Sequence, residues 1–538
     1  MQALASFSSA GSIPDPTGAA AAATLRGRYW LTRHLFLRAL GFIYLIAFLV
    51  AVEQLQPLVG ADGLLPAPLY LHRVASYYGD GSSAFAALPT LFWLDCSDDF
   101  MQGSAYAGLG LSLLLFAGFA NAPLLAVLWF LYLSFVHVGQ LFWGYGWESL
   151  LLETGFLAIF LCPVLDPRPL RESTPPPVPV IWLLRWVLFR VMFGAGLIKL
   201  RGDPCWRNLT CMMYHYETQP LPNPLSWYLH HMPPAFHRLE VLFNHFVELI
   251  VPWTLFAPRR IRHIGGLFLV AFQVLLILSG NLSWLNWLTL TLCIAAFDDR
   301  ALSRLFPARL QRRLLAVRAR DLSSPRRAVT YALCALVAYL SINPVLNMLS
   351  SRQVMNSSFD ALELVNTYGA FGSVTRHRRE IILEGTTDDT VTESTRWRPY
   401  EFVCKPGRVD RRPCVIAPYQ PRLDWQIWFS AMGDYRSSPW LLRFIDELLR
   451  GNPGAVSLLE GNPFPHGPPK FIRAQLYEYQ FTSWGTSGGA WWKRKVLGAY
   501  LPPLSRDDPR LREFLREHGW EQEQKQGEFS KTMAAEHP

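Results

Sequence analysis

The chain has 538 residues, of which 51% are hydrophobic, 14% aromatic and only 17% charged, with a formal net charge of +9. Soluble domains carry about a quarter charged residues. Together with a mean hydropathy of +0.15, this composition excludes a mainly disordered protein and argues against an ordinary soluble enzyme.

Residues 1–28, rich in Ala, Ser and Gly, read as a disordered N-terminal segment. Arg26, Arg28 and Arg33 then precede the first long apolar run, 35–52, and no small-residue cleavage site follows it. That pattern describes an uncleaved signal anchor. A membrane span needs about 20 apolar residues. Eight further runs approach this, at 106–120, 123–142, 148–165, 180–200, 241–257, 264–280, 283–297 and 328–349. The runs at 106–120 and 283–297 are short enough to be re-entrant or buried. The expectation is a polytopic α-helical membrane bundle of five to nine spans over residues 29–349, with loops at 53–104 and 201–239.

Arginine placement orients the bundle. The turn before Ile264 carries Arg259, Arg260 and Arg262, and the segment 298–327 carries nine more arginines, among them Arg309, Arg312, Arg313, Arg318 and Arg320. Both belong on the cytoplasmic side. The 53–104 loop is acidic and belongs opposite, and nine spans from a cytoplasmic N-terminus put everything after Leu349 on the lumenal or periplasmic face. The net positive charge is thus a topology signal. No basic patch with exposed aromatics points to nucleic acid.

Residues 350–520 read as a lumenal β-rich domain, sandwich-like, with one or two helices. Strands are expected at 380–384, 424–429 and 471–482, and a helix at 439–450 with Gly451 as its stop. The polar run 521–538 reads as a flexible tail.

Four of the eight cysteines fall on the expected lumenal side in local pairs. In an oxidising compartment Cys205 pairs with Cys211, and Cys404 with Cys414. A metal site built from these thiols with His215, His230, His231 or His237 is the rival reading. The absence of a Cys-x-x-Cys favours the disulfides, and no metal or other cofactor is expected. Asn208 and Asn356 stand in sequons on that side, and the Asn281 sequon is not placed to be used.

Ionisable residues inside the runs include Arg38, His137, Glu153, Arg185, Arg190, Lys199, His245 and Glu248. A charge at mid-membrane costs about 3 kcal/mol. Glu153 and Glu248 are expected to pair with Arg185 and Arg190. His245 and Glu248 share a helix face with Asn244, either as a packing seam or as a proton-handling pair, and packing is the favoured reading. No Ser-His-Asp order, phosphate loop, His-Glu-x-x-His or Gly-x-Ser-x-Gly pattern is present.

From Tyr29 onward the chain closely resembles the lipase maturation factor family. Matching stretches include Gly146-Trp-Glu-Ser, Cys205-Trp-Arg-Asn-Leu-Thr-Cys, His215-Tyr-Glu-Thr-Gln-Pro, Asn281-Leu-Ser-Trp-Leu-Asn-Trp, Ser351-Arg-Gln-Val-Met-Asn, Val365-Asn-Thr-Tyr-Gly-Ala-Phe-Gly-Ser, Cys404-Lys-Pro-Gly and Arg422-Leu-Asp-Trp. The resemblance is strongest to the factor 1 branch. It implies a multi-pass endoplasmic-reticulum membrane protein with five spans that assists secreted dimeric lipases of the lipoprotein, hepatic and endothelial type. The N-terminus would be cytoplasmic, the last domain lumenal, and membrane lipids the other partners. With seven lysines among 50 basic residues, the chain also resembles bacterial members, which implies the plasma membrane. Client contact is expected from the 201–239 loop and the last domain, with His215, Tyr216, Glu217, Trp425 and Trp428 as candidates.

A more remote resemblance, carried by Gly196-Leu-Ile-Lys-Leu and Trp206, is to vitamin-K-dependent γ-carboxylases. It implies a catalytic role for Lys199, with Ile198 departing from that family's pattern. Three functional readings follow: a non-enzymatic maturation factor, a membrane-embedded enzyme using Lys199 with His245 and Glu248, and a redox helper using Cys205 and Cys211.

Overall fold

The computed structural model describes residues 29–79, 81–168, 175–307, 321–485 and 489–521. The segments expected to be disordered or flexible, 1–28 and 522–538, lie outside these residues, as do Arg309, Arg312, Arg313, Arg318 and Arg320.

All nine apolar runs are helical. In chain order the helices include α1 (Trp30–Val59), α2 (Ala67–Tyr78), α3 (Asp98–Ala117), α4 (Ala122–Val138), α5 (Gly146–Leu161), α6 (Val178–Arg201), α7 (Met212–Thr218), α8 (Pro224–His230), α9 (Pro234–Phe256), α10 (Arg259–Ser279), α11 (Leu285–Ala296) and α12 (Ser324–Leu349). Helices α2, α7 and α8 belong to the loops. Among the described residues six helices, α1, α3, α6, α9, α10 and α12, are long and apolar enough to cross a membrane. The 17 residues of α4 and the 16 of α5 reach about 25 Å, and α11 is shorter still. Caps set the boundaries. Ser97 accepts from Phe100 N before α3, with Asp98 and Asp99 in the first turn, and Asn121 accepts from Leu124 N before α4.

Contacts at the helix ends show that the nine run in alternating directions. On one face the first N–H groups of α1, at Trp30 and Leu31, donate to Asp299 beyond α11. There too Arg38 reaches Ala117 O at the end of α3, and Arg326 at the start of α12 donates to Cys162 O at the end of α5. Arg259, opening α10, pairs with Asp298. On the other face Ala61 N, after α1, donates to Asp98 before α3. Arg201, ending α6, reaches Met348 O at the end of α12, and Asn281 N, after α10, donates to Leu221 O in the 201–239 loop. Both loops and the C-terminal domain lie on this second face, away from Arg259 and Arg326.

The C-terminal domain carries one antiparallel sheet in the order β2 (Arg398–Pro399), β1 (Arg378–Thr386), β3 (Phe471–Phe481), β4 (Trp492–Ser505). The second layer expected of a sandwich is helical. Helices α13 (Arg422–Ser430) and α14 (Trp440–Arg450) pack over one face, on Ile381, Leu383, Ile472, Ala474 and Leu501. The other face, with Ile382, Tyr479, Phe481 and Trp492, is covered by Trp227 of the 201–239 loop. A last helix, α15 (Pro509–Glu517), packs on α14. Helix α14 starts and stops as expected, and Gly451 takes the left-handed conformation (φ 69°) of a helix end.

The expected strand at 424–429 is helical and belongs to α13. Six residues of alternating aromatics fit either period. Here the Asp424 carboxylate accepts the Cys404 and Lys405 N–H groups at 2.6 and 2.8 Å, and Trp425 and Ile427 are both buried, while Phe429 at the end of the helix is exposed.

Candidate functional site

The 201–239 loop is a packed element. Its Cys205–Cys211 disulfide is buried, and the second bridge, Cys404–Cys414, closes a turn in the C-terminal domain. With all four thiols bonded, the metal alternative loses its sulfur ligands, and no His/Cys/Asp/Glu group among the described residues could hold a metal ion. Asp203 caps the first turn by accepting from Cys205 N, and Arg376 donates to both its oxygens at 2.9 and 3.1 Å. Burial raises this carboxyl, but the Arg376 and Cys205 hydrogen bonds outweigh it and hold the group below the usual carboxylate range.

The 368–372 segment lies flat along α6. A Cβ at Gly194 would meet Tyr368 O at 2.6 Å and one at Gly202 would meet Gly372 O at 2.1 Å, so both positions require glycine. Phe371 sits at φ 52°, and its carbonyl accepts from Trp206 Nε1 at 2.8 Å. This segment closes the wall of a polar cluster at the end of α6.

In that cluster Lys199 Nζ donates to Glu248 Oε1 at 2.6 Å and Asn244 Oδ1 at 2.9 Å. Asn244 Nδ2 donates to the other Glu248 oxygen at 2.9 Å, and the ammonium lies 4.9 Å from the Trp206 ring centre. Glu248 is carried inward by a π-helical turn at Phe246–Ile250. The expected trio separates: Lys199 and Glu248 come together, while His245 turns to Trp206 O at 3.1 Å. Lys199 is thus held in a buried pair with Glu248, at the inner end of a cavity.

The remaining buried charges partly follow expectation. Arg190 pairs with Glu153, which also accepts from Tyr368 and Asn366 N. Arg185 takes no glutamate; it donates to Ala295 O and Tyr29 Oη. Glu248 takes Lys199 instead of an arginine.

Two cavities adjoin the cluster. One, of about 560 Å³, lies between the bundle, the 369–375 segment and α13, with Trp428 and Asn286 in its wall. The other, of about 500 Å³, runs from Lys199 outward between α9 and α10. His215, Glu248, Phe272 and Phe371 line both.

Most residues expected to meet a client are interior. His215 and Tyr216 are buried because the loop folds inward on its disulfide, and Trp425 is buried where α13 packs on Tyr145 and Trp147. Tyr216 Oη donates to Glu240 at 2.5 Å, and Glu217 accepts from Phe481 N at 2.7 Å, which ties the loop to β3. Trp428 is half-buried at a cavity wall. Asn208 is exposed. Asn356 is exposed too, with its Oδ1 accepting from Gly369 N, whereas Asn281 is buried and donates to Leu221 O and Cys414 O. Nothing in the local sequence of two further arginines marks them as buried. Arg422 pairs with Glu148 beneath the domain, and Arg378 donates to Glu217 O, Gln219 O and Pro220 O.

A family model described as the lipase maturation factor transmembrane domain matches residues 31–304, and one for the lipase maturation factor C-terminal domain matches residues 364–502. Lipase maturation factor 1 of Homo sapiens is 48% identical over 518 residues, covering 92% of this chain and 91% of its own length. The Mus musculus protein of that name is 48% identical over 520 residues, covering 92% and 90%. Lipase maturation factor 2 of Xenopus laevis is 32% identical over 610 residues, covering 92% and 85%. No solved structure matches the chain. Both parts of the molecule, helical bundle and sheet domain, are matched by models of one family, and with near full-length relatives at almost half identity the chain belongs to the lipase maturation factor family.

Proposed function

We propose that this protein is a membrane-anchored maturation factor that assists folding and dimer assembly of secreted lipases. The carrying observation is the 48% identity along 92% of the chain to proteins named lipase maturation factor 1. The clients are lipases of the lipoprotein, hepatic and endothelial type. The membrane is that of the endoplasmic reticulum, or the plasma membrane in a bacterium. The arginine-bearing face is cytoplasmic and the sheet domain lumenal; the alternating helix directions and the two disulfides on the domain's side support this orientation. Binding a partly folded lipase lowers the fraction that aggregates through exposed apolar surface. Trp428 and the exposed Trp484, stacked on Trp227 at 5.3 Å, are contact candidates, and Asn208 and Asn356 are glycosylation candidates. A catalytic role for Lys199 is the weaker reading, since its nitrogen is held in a buried pair with Glu248.

The test is expression in cells that lack their own maturation factor, together with a dimeric lipase. Secreted lipase activity is expected to return, and Lys199→Met, if folded, is expected to retain it. A correctly inserted protein that leaves the lipase inactive overturns the proposal. Loss of rescue in a folded Lys199→Met variant supports the enzyme reading instead.

A further inference from the structure

The cavity between α9 and α10 opens sideways. Phe236, Leu239 and Leu275 form part of its wall and are 37%, 63% and 52% exposed. Leu242, Phe246 and Leu278, along the same helices, are exposed as well. Phe236, Leu239 and Leu275 lie at the ends of α9 and α10 nearest the C-terminal domain, so the mouth opens at the edge of the hydrocarbon, where a lipid chain enters from the bilayer. The volume, about 500 Å³, falls within the range of small-molecule sites, roughly 300–1,000 Å³.

The inner end has a definite polarity. Among the described residues that line it, the one Lys or Arg, Lys199, is matched by Glu248. A second carboxylate, Glu240, stands in the wall with Tyr216 and His237 on it, and nearby Arg376 is taken up by Asp203. A phosphate or fatty carboxylate would therefore bring an unmatched negative charge into a buried site. His215 is different. Its ring is only 7% exposed, meets Tyr216 and Phe371 through ring contacts, and hydrogen-bonds to no described residue. Burial, with Lys199 nearby, lowers its pKa to about 4, so the ring is neutral and offers one donor and one acceptor. His215 lines the cavity, and a hydroxyl there can bond either nitrogen, accepting from the N–H or donating to the bare nitrogen.

We propose that this cavity binds one neutral glyceride-type lipid, its chain against Phe272 and Leu276 and its free hydroxyl hydrogen-bonded to the His215 imidazole. The site goes beyond the lipase-maturation reading and does not depend on it.

Two photoactivatable probes with the same diazirine-bearing acyl chain test this in membranes holding the full chain: a diacylglycerol and a phosphatidylcholine. One ordinary hydrogen bond corresponds to about fivefold in affinity. The diacylglycerol is therefore expected to label peptides at Phe236, Phe272 and Leu275 about fivefold more than the phosphatidylcholine. Unlabelled diacylglycerol should compete. His215→Phe is expected to keep chain labelling but lose the preference, and Leu276→Trp to abolish labelling by filling the cavity. Equal labelling by both probes overturns the hydroxyl recognition, and labelling confined to Leu242, Phe246 and Leu278 overturns the site. The two-probe comparison on the unmodified protein decides the matter if either variant fails to fold.

Discussion

Ionisable side chains within the bundle are tolerated where a neighbour supplies the opposite charge or a lone pair. Glu153 with Arg190 and Glu248 with Lys199 use the first solution, and Arg185 on Ala295 O the second. His215, just outside the spans, uses neither and is held neutral by burial. With a folded pKa of about 4, below the unfolded 6.5, it binds fewer protons in the native state than in the unfolded one. Its contribution to stability is fully present above pH 6.5 and is lost as pH falls toward 4, by on the order of 3 kcal/mol for this group alone. Thermal unfolding of the detergent-solubilised protein between pH 7 and pH 4.5 should show it. His215→Phe is expected to flatten the fall in Tm, while a curve parallel to that of the unmodified protein would show that His215 titrates normally.

At the scale of elements, hydropathy carries far because a membrane helix must satisfy its backbone within itself and cover it with carbon. Each of the nine apolar runs is therefore a helix, β1 lies where the apolar run before Gly385 places it, and β3 lies where the alternation of 471–482 places it. β4 was not legible: it is an edge strand whose Lys493, Arg494 and Lys495 face solvent, so no buried period marks it. Nor was α13, where Trp425 and Ile427 are buried while Trp428 is half-buried and Phe429 exposed, a mixture that alternation mimics as well as a helix does. The partners of Lys199 and His215 depend on how α6, α9 and the 201–239 loop cross, which no local pattern encodes. Close helix packing depends on single glycines in the same way. A Cβ at Gly41 would sit 2.6 Å from Phe116 N, which is backbone and cannot rotate aside, so α1 and α3 touch at that point. Gly41→Val should push the two apart and destabilise the protein by about 1–3 kcal/mol or more. A Tm within a degree of the parent would mean that the helices separate freely there.

At the scale of the whole molecule, the sheet domain is fastened to the bundle by polar bonds buried under it. Arg422 Nη1 donates to Glu148 Oε1 at 2.8 Å and Phe142 O at 2.6 Å, and its guanidinium lies 3.9 Å from the Trp143 ring centre. Gln54 on α1 accepts from Arg422 N at 2.9 Å and donates to Gln420 O at 2.8 Å. Asn281, after α10, accepts from Ile416 N and donates to Cys414 O, each at 3.0 Å. With three helices gripping one domain, bundle and domain should unfold as one cooperative unit. Removing one partner of a buried ion pair leaves the other charge stranded, which costs about 3–5 kcal/mol, whereas replacing both by apolar residues is far milder. Arg422→Met is therefore expected to lower Tm sharply and to expose the domain to protease, and Glu148→Met to do nearly the same. The double variant should lose less than the sum of the two. The contrast matters for function, because a domain that swings free of the bundle would no longer hold the 201–239 loop, which Arg378 and Glu217 bind to the sheet. Additive losses, or two separate thermal transitions in the unmodified protein, would show that the domain is a tethered appendage and that the loop's position is set by the bundle alone.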